Sequence, residues 1–238
     1  MIDKRFKITT KRIAVAMSNE EQALYKFAAA RLSALDISKR KKLQIINDAF
    51  DTFSKKDITI KKNDQLYFLG SAIRERNIAK HQHVLSYLRD HKNKALVYVL
   101  DDQVAIDLAA AIDGLIYFDP RTSDDVEYDM NNLLEEGVVV VNITRCGVGL
   151  DFHAKAILWY QMPLSASEDV QGSGRITRLS SDPSIEREIT YLYFNNTLQD
   201  DWAAELAAAY AFNESAARIK KEKKSENDKL LEELGLFF

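Results

Sequence analysis

The sequence predicts an α/β protein built on a parallel central sheet. Three observations carry that prediction. From Lys94 onward, short apolar runs alternate with helix-length segments, the pattern of a parallel sheet with right-handed crossovers. The run Gly137-Val138-Val139-Val140-Val141-Asn142-Ile143 is almost continuously β-branched, as expected of a strand covered on both faces. The composition, 46% hydrophobic and 29% charged over 238 residues, supports one large core, or a core with a helical appendage.

The elements follow in order. Residues 12–17 alternate weakly and read as a strand. Ser18 and Glu21 form a capping box that opens a helix through Leu24, Phe27, Ala28 and Leu32. Residues 37–92 are mostly helical by pattern. Leu43, Ile46, Phe50 and Phe53 make one apolar stripe, and a helix over about 71–91 offers Val84, Leu85 and Leu88 to a core. A strand is expected at 95–100, then a helix over 104–112 capped by Asp101 or Asp102. The next strand is 115–118. Asp119-Pro120 turns the chain, and Ser123 caps a helix that ends at Glu136. Strands at 137–143, 157–160 and 189–194 complete the sheet, with a helix after Pro163 capped by Ser165 or Ser167. A last helix, 197–220, carries Trp202, Leu206, Tyr210 and Ile219, and the basic residues 220–224 suit its carboxyl end. The segment 230–238 is apolar on one side and is expected to dock on the body or fray.

Composition excludes several classes. No apolar run approaches the roughly 20 residues of a membrane-spanning helix, and MIDKRFKITTKR lacks the apolar centre of a signal peptide. Cys146 is the sole cysteine, so there is no disulfide framework and no cysteine metal cluster. It reads as a small packing residue, and a reducing, intracellular setting (cytoplasmic, nucleoid or nuclear) is the expectation. His81 and His83, two apart, face opposite sides of a helix, and with His91 they lack a carboxylate cluster. Surface histidines are expected rather than a metal site. The net charge of -3 is split: residues 1–62 carry 15 Lys+Arg against 7 Asp+Glu, and the remainder is acidic. The clusters Lys39-Arg40-Lys41-Lys42, Lys55-Lys56 and Lys61-Lys62 fit either a local anionic partner or a solvated surface.

The chemistry concentrates at 137–178. Thr144-Arg145-Cys146-Gly147-Val148-Gly149-Leu150-Asp151 follows the valine strand directly. Glycines two apart let the backbone turn sharply and approach a ligand, and Asp151 adds a carboxylate near the carboxyl end of the sheet. By itself this is also the composition of an ordinary turn. Gln171, Arg175 and Arg178 then recur at i, i+4 and i+7 and should project from one helix face. Gly172 and Gly174 each cost that helix about 1 kcal/mol relative to Ala, which implies close packing or a non-ideal turn. A glycine turn followed by guanidinium groups points to phosphate chemistry; a solvated arginine face is the plain alternative.

These residues carry a resemblance. Gln171-x-x-Gly174-Arg175-x-x-Arg178 resembles the last motif of superfamily 2 helicases, and Thr144-x-x-Gly147-x-Gly149-Leu150-Asp151 resembles the motif before it. Ile157-Leu158-Trp159-Tyr160 and Pro163 resemble the intervening strand and loop of the Swi/Snf-related branch. Ser18, Gln22, Leu24 and Tyr25 resemble the start of the second lobe there, with the spacing one residue off. The resemblance implies a RecA-like three-layer lobe with a parallel central sheet, plus a helical N-terminal segment. It divides the chain into a strand and helical segment packed on the lobe (1–93), the lobe itself (94–224) and a tail (225–238). Residues 39–93 match nothing in that pattern.

Site roles come with the resemblance. Arg178 resembles the arginine finger for the γ-phosphate, Arg175 its partner at the phosphates, and Gln171 a residue orienting nucleotide or water. Gly147, Gly149 and Gly174 keep the nucleotide side slim, Asp151 meets the ribose or couples the arginines to it, and Thr144 with Arg145 touches a nucleic-acid phosphate. ATP and Mg²⁺ are implied cofactors. No G-x-x-x-x-G-K-[ST] occurs in the sequence, and no strand is followed by an Asp-Glu pair for the metal, so both are expected mainly on a separate P-loop lobe, of the same protein or a partner subunit. Duplex DNA is the expected track, with RNA as the alternative, and the chain is not expected to hydrolyse ATP alone. Two other readings stand beside this one: a non-catalytic nucleic-acid or protein platform derived from such a lobe, and a doubly wound small-molecule enzyme.

Overall fold

The computed structural model describes residues 7–17, 78–147, 149–176 and 184–206, with residue 208 and scattered positions between 19 and 42. Arg178, the stripe at 43–53, Lys55-Lys56, Lys61-Lys62, the Ser18 capping box, the last helix beyond 208 and the tail lie outside them.

The described strands form one sheet: β1 (Ile8–Val15), β2 (Ala95–Val99), β3 (Leu115–Phe118), β4 (Val138–Asn142), β5 (Ala156–Trp159) and β6 (Arg187–Phe194). Their order is β1-β6-β5-β2-β4-β3, and every pair is parallel. Every residue of β2, β4 and β5 is buried. That is what their continuous apolar runs require, since a parallel sheet with helices on both faces leaves no wet side. Val97 of β2 is held between Val140 and Leu158, so branched side chains interlock across the centre.

Four helices are bounded in full: α1 (Ile78–Asp90), α2 (Asp102–Ala111), α3 (Val126–Glu136) and α4 (Ala166–Gly174). Val84 and Tyr87 of α1 and Val104, Ala105 and Leu108 of α2 join Ala95, Val97 and Val99 on one sheet face. Met130 and Leu134 of α3, Ile176 just beyond α4, and Ala203 and Leu206 join Leu96, Tyr98 and Trp159 on the other. The result is the three-layer α/β arrangement that the alternation of strands and helices predicts.

Three local expectations are corrected. The first strand is Ile8–Val15, four residues earlier at its start, because it follows the whole of β6 from Ile8↔Arg187 to Val15↔Phe194. As an edge strand it needs few apolar residues, so its sequence signal is weak. The helix ending at Glu136 is capped by Asp125, whose side chain accepts from Tyr128 N–H. Ser123 instead donates to Asp129, because the 3-10 turn Pro120–Thr122 uses the residues before it. Leu85 is exposed rather than in the core, while Val84 is fully buried and Leu88 packs at the core's margin.

His81 is not an ordinary surface histidine. Burial pushes its pKa down to about 4, so the folded state prefers the neutral ring. Its folded pKa lies below the unfolded value, so unfolding takes up a proton between about pH 6.5 and 4, and stability should fall as pH drops through that window. Urea titrations at pH 7 and pH 4.5 check this: His81→Gln should lose less stability between the two than the parent protein.

Gly172 sets how closely α4 approaches the sheet. A Cβ there would lie 2.6 Å from Cζ2 and 2.8 Å from Cη2 of Trp159. That indole is fully buried, edge-on to Tyr98 at 5.0 Å and stacked with Tyr191 at 6.4 Å between ring centroids, so it cannot step aside. Gly174 has open space around its Cβ position. Gly172→Ala should therefore destabilise by about 1–3 kcal/mol through overpacking, whereas Gly174→Ala should be neutral or gain up to about 1 kcal/mol from helix propensity. Urea unfolding of the two variants separates the effects.

Candidate phosphate and nucleic-acid interface

The connection from β2 leaves on the α1/α2 face and that from β4 on the other, although β2 and β4 are neighbours. Their chains part at the carboxyl ends, which creates a crevice of the kind where α/β proteins bind ligands. Its walls are polar. Asp101 caps α2 by accepting from the N–H groups of Gln103 and Val104. Asn142 ends β4, donating to Asp102 Oδ1 at 2.7 Å and accepting at Oδ1 from both Thr144 N–H and Thr144 Oγ1. This side chain diverts the chain into the 3-10 turn Ile143–Arg145, which is why the strand stops one residue before the apolar run does.

Thr144 and Arg145 stand exposed on that turn. Arg145 Nε lies 3.4 Å from Asp102 Oδ2, and Arg121 Nη1 lies 3.2 Å from the same oxygen. Arg121 also grips Asp119 as a fork, Nε to Oδ1 and Nη2 to Oδ2, both 2.8 Å. The guanidinium beside it holds Asp119 down to about 2, below the usual carboxylate range. Neither Arg121 nor Asp102 belongs to a motif of the sequence; their only signal there is a cation just past the end of β3 and a second aspartate just past β2, both at carboxyl ends of a parallel sheet.

The glycine turn comes next. Gly149 has φ +89°, a left-handed conformation that favours glycine. Gly147 has neither a positive φ nor a neighbour that a Cβ would meet, so the fold itself does not demand glycine there. Cys146 is buried, as a packing residue should be, and burial pushes its thiol up to about 11. The chain then descends along α3. Asp151 N–H donates to Glu127 Oε2 at 2.7 Å and its carbonyl accepts from Asn131 at 3.1 Å. Asp151 is buried, beside the first two turns of α3.

α4 begins at Ser165, whose Oγ accepts from Glu168 N–H while Glu168 Oε2 accepts from Leu164 N–H. This reciprocal cap decides between Ser165 and Ser167. Glu168 also pairs with Arg40, so one member of the basic 39–42 cluster is met by a carboxylate of the chain itself. Gln171 is exposed and donates to Ser167 Oγ at 3.3 Å. Arg175, one turn on, is the helix C-cap with φ -67° and ψ -22°, yet only 5% of it is exposed. The expected common face therefore does not present the two alike: Gln171 meets solvent and Arg175 turns inward to the glycine turn.

Arg175 Nη2 donates to the carbonyls of Cys146 (3.1 Å) and Gly147 (2.7 Å), and its guanidinium lies 5.4 Å from the Phe152 ring centroid. The main chain closes the contact, Phe152 N–H donating to Arg175 O at 2.9 Å. Nε and Nη1 are buried without an acceptor, and no carboxylate pairs with this arginine among the described residues. A buried cation with two of three nitrogens unsatisfied is costly by several kcal/mol. An anion would meet both needs at once. The described residues hold no cluster of three His, Cys, Asp or Glu side chains suited to a metal, and no described helix is long and apolar enough to cross a membrane.

No family model matches the chain, and no curated protein matches it. Among solved structures it is similar to the crystal structure of the C-terminal part of the Fun30 ATPase domain. The two superpose with a TM-score of 0.54 at 10% sequence identity, over 82% of this chain and 88% of that one. At that identity the likeness is one of fold, and the fold is the RecA-like α/β lobe that the motifs imply.

The Cys146 thiol yields a direct check on the turn. With its pKa near 11, the thiolate fraction at pH 8 is on the order of one in a thousand. Iodoacetamide should leave the folded protein unmodified over hours and alkylate it promptly in urea. Rapid alkylation without denaturant would mean that the turn opens.

Proposed function

We propose that this chain is the second lobe of an ATP-driven nucleic-acid translocase. Arg175 carries the reading: a buried guanidinium at the lip of a glycine turn, with Nε and Nη1 lacking acceptors and no carboxylate partner among the described residues. A phosphate supplies what those N–H groups lack, and guanidinium binds it with directed, charge-assisted hydrogen bonds. Arg178, outside the described residues, is assigned to the γ-phosphate as arginine finger, and Gln171 to the nucleotide or attacking water. Asp151 and the glycines at 147, 149 and 174 line the nucleotide side.

The opposite wall of the turn serves the track. Thr144 and Arg145 lie exposed at the carboxyl ends of the strands, where they grip the backbone of duplex DNA rather than its bases. Binding of that kind is insensitive to sequence and weakens steeply with salt. The fold shared with part of an ATPase domain supports a two-lobe arrangement, in which ATP sits on a P-loop lobe and the arginines close over it. When bound, Mg²⁺ neutralises phosphate charge; the described residues offer it no carboxylate cluster, and no step here is assigned to it. The absence of a G-x-x-x-x-G-K-[ST] motif from this sequence keeps the second reading, a binding platform without catalysis, as the alternative.

ATP turnover decides between them, measured with and without duplex DNA on the longest natural reading frame that contains this chain. In the motor, Arg178→Ala should lower DNA-stimulated turnover by about 10³-fold or more, and Arg175→Ala should lower it with ATP still bound and the unfolding midpoint retained. If turnover survives both substitutions, the arginine assignment fails. If the natural product has no turnover but binds DNA, the platform reading replaces the motor.

A further inference from the structure

The anions already seated in the crevice lead to a second conclusion about the same surface. Arg121 and Arg145 come from different turns, after β3 and after β4, yet both converge on Asp102 Oδ2, at 3.2 and 3.4 Å. Asn142 adds an amide donor to Oδ1 at 2.7 Å. Three donors from two separate turns thus surround one carboxylate at the switch point of the sheet. We propose that Asp102 is an internal clamp occupying the seat of a nucleic-acid backbone phosphate, and that binding the track displaces it from Arg121 and Arg145. The proposal rests on the translocase-lobe reading and adds to it a regulating residue, Asp102, and a new track-binding residue, Arg121.

The geometry suits exchange. The side chains of Arg121 and Arg145 are 51% and 52% exposed and that of Asp102 is 21% exposed. Ion pairs so close to water are weak, so a phosphate can replace the carboxylate at little cost. Arg121 is also held in position for its task. Asp119 takes Nε and Nη2 as a fork and leaves Nη1 directed at Asp102. The two aspartates therefore have different jobs: Asp119 orients the arginine, and Asp102 covers its remaining donor. A lone phosphate gains one such exchange. A strand that presents phosphates in series also gains the neighbouring contacts at Thr144, so the clamp favours a polyanion over free nucleotide.

The test is fluorescence anisotropy of a labelled DNA duplex, over a salt series, with the parent chain and the variants Asp102→Asn, Arg145→Ala, Arg121→Ala and Asp102→Asn/Arg121→Ala. Asparagine keeps the oxygen that accepts from Asn142 and removes the charge. Asp102→Asn should tighten binding by about 3- to 10-fold at low salt, matching the loss of two exposed ion pairs, those with Arg121 and Arg145. The slope of log affinity against log salt should stay close to the parent's, because the same phosphates are neutralised once the clamp is displaced. Arg121→Ala should cost more in the Asp102→Asn background than in the parent. If the parent binds and Arg145→Ala weakens it, but Asp102→Asn binds no tighter with its unfolding midpoint retained, the clamp is overturned and the interface stands. If neither the parent nor Asp102→Asn binds duplex DNA while both are folded, the nucleic-acid reading fails and the clamp with it. Binding by Asp102→Asn alone would support the clamp in its strongest form.

Discussion

The contact between Gly172 and the Trp159 ring governs how the site is assembled. Tyr98, Trp159 and Tyr191 make a buried aromatic row across β2, β5 and β6. α4 lies on that row at a distance no side chain at position 172 would permit. Asp169, itself buried, fixes the helix further by accepting from Tyr191 Oη at 2.7 Å and from Ser173 Oγ at 3.1 Å. With the helix held this low, Arg175 at its end comes level with the glycine turn and its guanidinium meets the Cys146 and Gly147 carbonyls. A helix held farther from the sheet would carry Arg175 away from those two carbonyls. The two glycines of α4, which weaken it by propensity, thus differ in use: one sets the packing distance, and the other fills no structural need in this fold.

Electrostatics divides the site into two unlike halves. At the carboxyl ends of β2, β3 and β4, every cation named has a carboxylate: Arg145 with Asp102, Arg121 with Asp102 and Asp119. These pairs are half exposed and individually weak. On the other side of the turn, Arg175 is buried with carbonyls and an aromatic face but, among the described residues, no carboxylate. One half holds charge that is satisfied and easily exchanged; the other holds charge that is unsatisfied and fixed. In the proposed function this asymmetry matches the two tasks. A track must be gripped and released repeatedly, and weak, exposed pairs permit that. A nucleotide phosphate must be sensed, and a buried guanidinium with two nitrogens lacking acceptors among the described residues responds strongly to one.

Much of the sheet could be read from the sequence because burial on both faces leaves a direct mark. Val138 to Val141 must all be apolar, and they are. β1 left a faint mark because an edge strand touches the core on one side only, with Lys11 and Arg12 exposed. The cap at Asp125 was hidden by a 3-10 turn that consumed Asp119 to Ser123, a detail of turn geometry rather than of residue type. Spacing correctly marked Gln171 and Arg175 as one turn apart, but spacing describes a helix alone. It could not show that the helix ends at Arg175 against a descending segment, so that one side chain is wet and the other buried. Arg121 and Asp102 were missed for a related reason. Each sits at the end of a different strand, and only the sheet order β5-β2-β4-β3 brings those ends together.

The two halves share one short piece of chain. Asn142 binds Asp102 with its amide nitrogen and Thr144 with its oxygen. Four residues on, Cys146 N–H donates to Ile143 O, and the carbonyls of Cys146 and Gly147 receive Arg175. From the crevice to the arginine helix, six residues thus carry an unbroken series of hydrogen bonds. An anion that draws Arg175 away from those carbonyls acts on the same turn that displays Thr144 and Arg145. A phosphodiester that displaces Asp102 acts on Asn142, which sets where that turn begins. In the proposed motor, nucleotide and track need no long route through the lobe to affect one another. They meet in a turn whose conformation is fixed at one end by an asparagine and at the other by a buried guanidinium, and Gly149, at φ +89°, lets the chain leave that turn again beside α3.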